Sequence, residues 1–316
     1  MRNCSVTWCL LLIIGASTAC APDFDSPSKV TDLRVLAIQM NPPEFIYPSD
    51  LVGLPTEEAF QMMNSSPVSI ARILVANPLD PDALLEYRVE GCLLGNDFYC
   101  ADSPTPTLYG DGASQPGILE VSTYFTSTHI EAIFDAAPAS GFFGAAAWVT
   151  GEVWSPDESV TFLKSQLFSP NYGGVRTVNE NPSLDDVLLG EKDEELPIVV
   201  QPDGYWETLT SEEYRLLPVI PKDDHQSYVV MTFSLEHKEI TEEMTVRFFG
   251  TCGDFQDESK TEVLDILFET KEDIPEKSLA TTWTAPKEPI NDCTLWFVVT
   301  DGRGGVGWWT QKVRVK

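Results

Sequence analysis

The chain has 316 residues, 49 acidic and 20 basic side chains, and a formal net charge of −29. That balance argues against a nucleic-acid partner, because phosphate binding needs a concentrated basic surface. It also disfavours docking on anionic lipid through a polybasic patch. A hydrophobic content of 43%, with 8 Trp, 9 Tyr and 16 Phe, is too rich for a disordered acidic tail. Only 3 His leave little material for a histidine-rich metal site.

Residues 1–19 read as an export signal. Arg2 supplies the positive start and residues 8–16 (WCLLLIIGA) an apolar run, shorter than the ~20 residues a membrane-spanning helix takes. Ser17, Thr18 and Ala19 then lead into Cys20, and small residues ending in Cys resemble the lipobox of bacterial lipoproteins. The resemblance implies that Cys20 is acylated and becomes the new N-terminus, a stable anchor when several chains are attached. Ala21 after the Cys, in place of Asp, implies the outer membrane. Ordinary cleavage after Ala19 or Ala21 would give a free secreted chain.

Cys92, Cys100, Cys252 and Cys293 then remain, and an even number in an exported chain suggests disulfides. The pairs Cys92–Cys100 and Cys252–Cys293 are expected, each within one apparent domain. No C-x₂-C spacing supports zinc.

Residues 20–32 are polar and look like a lipidated tether. Strand patterns follow. Leu33, Val35 and Ala37 alternate with polar neighbours, as do Tyr87 and Val89, and Leu119, Val121, Thr123 and Phe125. Residues 68–76 form another apolar run, and residues 143–154 and 160–168 a late pair of strands. Period two means one face buried and one wet, the habit of antiparallel sheets. Residues 55–63 allow a short helix. Residues 171–216, rich in Gly, Asn and Pro and then acidic, read as a connecting segment that could add a strand at residues 198–200. Alternation resumes at Val229–Leu235, Val246–Phe248, Leu264–Phe268, Thr294–Thr300 and Trp309–Val315. The expected fold is all-β: tandem immunoglobulin-like antiparallel β-sandwiches over residues 33–170 and 217–316. If residues 244–249 and 294–300 are neighbouring antiparallel strands, Cys252 and Cys293 staple the end of one to the start of the other.

Gly302, Gly304 and Gly307 fit G-x-G-x-x-G, but only nine residues follow and they alternate like a strand. A dinucleotide site needs a helix there, so a glycine-rich hairpin is expected. Asp223, Asp224 and His225 are adjacent and read as a solvated inter-strand loop. Residues 180–276 hold 26 of the acids and 7 Lys or Arg. This is a self-repelling solvated surface or, through Asp185, Asp186, Asp223 and Asp224, a calcium site between sandwiches. No hydrolase, Walker or EF-hand pattern occurs, and nothing marks a catalytic carboxylate pair among the acids. Trp296 and Trp308 alternate against Phe297 and Trp309, so both point away from their own core. They could stack on sugar rings or dock a partner, or serve inter-domain packing.

Residues 28–45 (SKVTDLRVLAIQMNPPEF), 179–190 (NENPSLDDVLLG), 281–286 (TTWTAP) and 295–315 (LWFVVTDGRGGVGWWTQKVRV) resemble blocks of myxobacterial-type predicted lipoproteins. These pair a lipobox with immunoglobulin-like, PKD- or cadherin-like β domains. The resemblance implies location and fold and transfers no catalytic residue. The expected function is a lipid-anchored cell-envelope binding or structural protein without catalysis or cofactor, its partner an envelope protein or polysaccharide. A calcium-dependent adhesion or glycan-binding module and a hydrolase with an unmarked carboxylate pair are the alternatives.

Overall fold

The computed structural model describes residues 26–48, 68–93, 107–125, 145–171, 177–191, 204–231, 237–262 and 279–316. The signal, Cys20, Cys100, the possible helix at 55–63 and the possible strands at 198–200 and 264–268 lie outside these residues.

The described chain is all-β apart from a short 3-10 turn. It begins with β1 (Arg34–Asn41), β2 (Glu44–Pro48), β3 (Val68–Ala76), β4 (Leu85–Leu93), β5 (Thr107–Ser114), β6 (Gly117–Tyr124), β7 (Ala145–Trp154) and β8 (Ser159–Asn171). These make a three-stranded sheet, β1-β3-β6, facing a five-stranded sheet, β2-β8-β7-β4-β5. Met40, Ile73, Val89, Val121, Val149 and Phe168 fill the space between them, each at most 5% exposed. Every such side chain removed from water is worth roughly 1.5–3 kcal/mol. In β6 burial alternates strictly, as its sequence GILEVSTY requires.

A second pair of sheets follows: β9 (Asp186–Glu191), β10 (Tyr205–Thr208), β11 (Glu213–Val219), β12 (Ser227–Met231), β13 (His237–Thr241), β14 (Thr245–Gly250), β15 (Asp254–Phe255), β16 (Ser259–Thr261), β17 (Thr281–Thr284), β18 (Ile290–Thr300) and β19 (Val306–Val315). The sheets run β15-β17-β11-β9 and β10-β19-β18-β14-β16, with β12 and β13 as a separate hairpin. Trp283, Leu216, Phe248, Leu295, Phe297 and Val313 form their shared core. The two sheet pairs repeat one strand order: β1-β3-β6 matches β9-β11-β17, and β2-β8-β7-β4-β5 matches β10-β19-β18-β14-β16.

Three expectations need correcting. The sheets are not purely antiparallel, since β2 runs parallel to β8 and β10 parallel to β19. After β1 the chain passes Pro42 and Pro43, with a cis Asn41–Pro42 bond, and joins the opposite sheet beside its last strand. Residues 171–216 are more than a connector, because they carry β9, β10 and the start of β11. Val187 and Leu189 in that stretch are buried in the second core with Trp206. The end of the tether also belongs to the fold. Val30 is 1% exposed, its N–H donates to the Gly250 carbonyl at 2.9 Å, and the Gly250 N–H returns to Ser28 O at 2.9 Å.

Beyond β14, Cys252 and Cys293 are disulfide-bonded with their Cα atoms 5.7 Å apart. β14 and β18 are antiparallel, with Gly250 opposite Leu295, so the bridge joins adjacent strands as the spacing anticipated. Cys92 lies in β4, and its expected partner Cys100 is outside the described residues.

Candidate functional site

The described chain is most concentrated chemically where the two sheet pairs meet. An apolar patch forms the floor: Ala37, Leu74 and Ala76 from β1 and β3 pack on Trp296, Val298 and Val306 from β18 and β19. This is why Cys293–Val299 is buried on both faces, where alternation alone anticipated one wet face. The continuous runs ILVA and LWFVV carry that information, since an element covered on both sides reads as unbroken apolar sequence.

The glycine motif stands over this floor as the turn between β18 and β19. Gly304 has φ +110°, a left-handed conformation that suits glycine. Asp301 closes the turn by accepting from the N–H groups of Arg303 at 2.7 Å and Gly305 at 2.9 Å. Gly307 lies so close to the Pro182 carbonyl that any β-carbon would collide with it. The glycines therefore allow residues 177–183 to lie against the turn.

Arg303 projects from the turn into a buried ionic cluster. It donates to Glu242 Oε1 at 2.8 Å, to Glu44 Oε2 at 2.8 Å and to the Thr177 carbonyl at 3.1 Å. Its guanidinium lies 4.2 Å from the Tyr228 ring centroid. Glu44 starts β2 in the first sheet pair; Glu242 follows β13 in the second. Both are 2% exposed. A planar guanidinium suits two carboxylates at fixed angles. Around it, Lys164 Nζ donates to Gly304 O at 2.8 Å, Gln39 Nε2 to Val306 O at 2.6 Å, and Asn181 Nδ2 to Met40 O at 2.8 Å. Arg72 stands over the Trp308 ring at 5.4 Å.

Burial raises the Glu242 carboxyl and the Asp301 charge adds to it, only partly offset by Arg303. Burial lowers the Lys164 ammonium against the pull of Asp301.

A second cluster adjoins the first through the backbone. Gln226 N donates to Glu242 Oε2 at 3.2 Å, and its neighbour His225 is 3% exposed. His225 Nε2 meets Glu262 Oε2 at 2.8 Å and Nδ1 lies 3.3 Å from Pro221 O. Burial works to lower this imidazole, yet the Glu262 hydrogen bond and charge outweigh it and leave His225 raised. The pair borders a cavity of about 370 Å³ walled by Leu188, Leu217, Val219, Ile220 and Leu279. Both imidazole nitrogens are engaged within the fold, Nε2 by Glu262 and Nδ1 by the Pro221 carbonyl.

His225 thus departs from the solvated loop expected of it. Residues 222–224 form a 3-10 turn that folds the imidazole inward. The four calcium candidates fall on two elements. Asp185 and Asp186 are at the start of β9; Asp223 and Asp224 are in the turn. Asp224 Oδ2 accepts from the Ser183 N–H at 2.7 Å and hydroxyl at 2.8 Å; Asp186 Oδ1 accepts from the Val187 N–H at 2.8 Å. Among the described residues no group of three or more His, Cys, Asp or Glu is placed to hold a metal ion. Trp296 and Trp308 do point away from their own core, but onto the first sheet pair: Trp296 is 8% exposed. Trp296 thus lacks the open surface expected of it, while Trp308 is half-buried beneath Arg72.

Arg303, Glu44, Glu242 and the His225–Glu262 pair escape sequence reading. Glu44 and Arg303 are 259 residues apart, and nothing distinguishes either glutamate among 49 acids. A charged residue held within a glycine turn between two strong strands was the one available signal.

These features define an all-β sandwich protein with a buried ionic junction between sheet pairs. No family model and no curated protein matches the sequence. Among solved structures it is similar to red sea bream transglutaminase, at 9% identity over 91% of this chain and 32% of that one, with a TM-score of 0.27. It is similar to the extracellular domains 3–5 of Drosophila OTK at 8% identity over 92% and 99%, TM-score 0.22. It is also similar to a DUF4785 family protein of Legionella pneumophila at 8% over 88% and 55%, TM-score 0.21. The chain spans about a third of the transglutaminase. Overlaps this loose carry neither an activity nor a partner to this chain.

Proposed function

We propose that the chain is a lipid-anchored, non-catalytic binding and structural module of the bacterial cell envelope, its two sheet pairs acting as tandem immunoglobulin-like domains locked in one orientation. The observation behind this reading is Arg303, buried and shared between Glu44 of one sheet pair and Glu242 of the other. A buried ion pair adds little net stability over an apolar contact of the same shape, because desolvation offsets the attraction. What it supplies in this reading is geometry, since the observed arrangement satisfies the guanidinium and both carboxylates at once. Rigid presentation of a surface at a set distance from the membrane follows from such a joint, and the acyl chains on Cys20 supply the tether. The partner is an envelope protein or polysaccharide.

The anchor is tested by producing the chain with its own leader in a Gram-negative host. The mature protein is expected in the outer-membrane fraction with acyl mass on Cys20, and Cys20→Ala should release it. An unmodified N-terminus at Ala21 or Pro22 contradicts the reading.

A further inference from the structure

We propose that the cleft beside Trp296, between the two sheet pairs, binds a neutral glycan chain. The cleft has a volume of about 270 Å³. One wall is the turn after β3 with the turn between β5 and β6, and includes Asn77, Pro78 and Pro116. The other is the outward face of β18 and β19 with Thr251. Trp296, 8% exposed, borders it with only a small part of its indole. Trp308, on the same face, is taken up by Arg72.

The chemistry of the walls selects the ligand. Thr251, Thr294 and Thr310 bring three hydroxyls to one side, and Asn77, 6% exposed, brings an amide to the other. Thr251 Oγ1 accepts the Thr294 N–H at 2.9 Å, which fixes its oxygen and leaves its hydroxyl hydrogen to donate. The two charged side chains on the walls, Asp292 and Lys312, pair with each other at 2.9 Å. In a chain of net charge −29 this cleft is balanced, so it suits an uncharged ligand. Hydroxyls and an amide beside proline rings and an indole margin match a sugar ring, whose hydroxyl rim meets the polar groups and whose apolar face meets the prolines. Pro78, Pro81 and Pro116 in the walls restrict their backbone freedom.

This inference names the ligand class of the envelope module proposed above and rests on its docked sheet pairs. The test follows the Trp296 indole N–H resonance of the mature full chain during titration with chitotriose, maltotriose and cellotriose. At least one sugar is expected to shift it saturably. Thr310→Arg, at an exposed position, should weaken that binding by at least about tenfold and leave the solution scattering profile unchanged. If none of the three moves the resonance at tens of millimolar, or if a proline-rich peptide moves it and no sugar does, the proposal fails. The scattering profile separates that failure from loss of the docked arrangement.

Discussion

Arg303 is the residue on which the junction turns, and its environment predicts what its loss costs. Replacing it by Met removes the guanidinium that the buried Glu44 and Glu242 share. Losing one partner of a buried pair typically costs about 3–5 kcal/mol, so Arg303→Met should lower the unfolding free energy in urea by that order. A loss no larger than a surface substitution's would place these charges in water. Glu242 adds a pH dependence. Its raised carboxyl holds a proton in the folded chain that the unfolded chain releases near its ordinary value of 4.5. That contribution is fully present below about pH 4.5 and is lost as pH rises through the folded value. His225 has the same sign: its contribution is complete below about pH 6.5 and is lost as pH rises through its raised value. Thermal melts of wild type against Glu242→Gln isolate the first effect. Wild type should lose ground to the variant as pH rises above about 4.5, and a constant difference would contradict the burial of that carboxyl.

At the scale of the element, β18 is the strand on which both layers depend. Leu295, Phe297 and Val299 fill the second core while Trp296 and Val298 face the first sheet pair. The Cys252–Cys293 bridge ties its start to the end of β14 across 41 residues. Replacing both cysteines by Ser should cost about 3–4 kcal/mol in the chain-entropy account, read as a lower denaturation midpoint with the slope little changed. No loss would mean that the unfolded chain is constrained by other means. The facing of these side chains was legible in the sequence because alternation sorts each one to a face. Outward-facing Trp296 was legible too, but not what covers it. Alternation states which way a side chain points and is silent on whether a second sheet lies there.

For the whole molecule, the all-β class followed from period-two patterning and from Gly and Pro between the runs. The junction did not, because its members are distant in sequence and chemically ordinary one by one. Yet three of the four blocks that resemble predicted lipoproteins converge on it, while residues 281–286 carry Trp283 of the second core. Residues 28–45 contribute Val30, Ala37 and Glu44; residues 179–190 contribute Asn181 and Pro182; residues 295–315 contribute Trp296, Arg303 and Val306. Strand and turn motifs that looked merely structural are the parts that dock one sheet pair on the other.

The fixed orientation is tested most directly by residual dipolar couplings of the chain in a weakly aligning medium. The account predicts that couplings from the two sheet pairs of the wild type fit one alignment tensor, and that Arg303→Met, if it stays folded, needs two. Two different tensors for the wild type would contradict it.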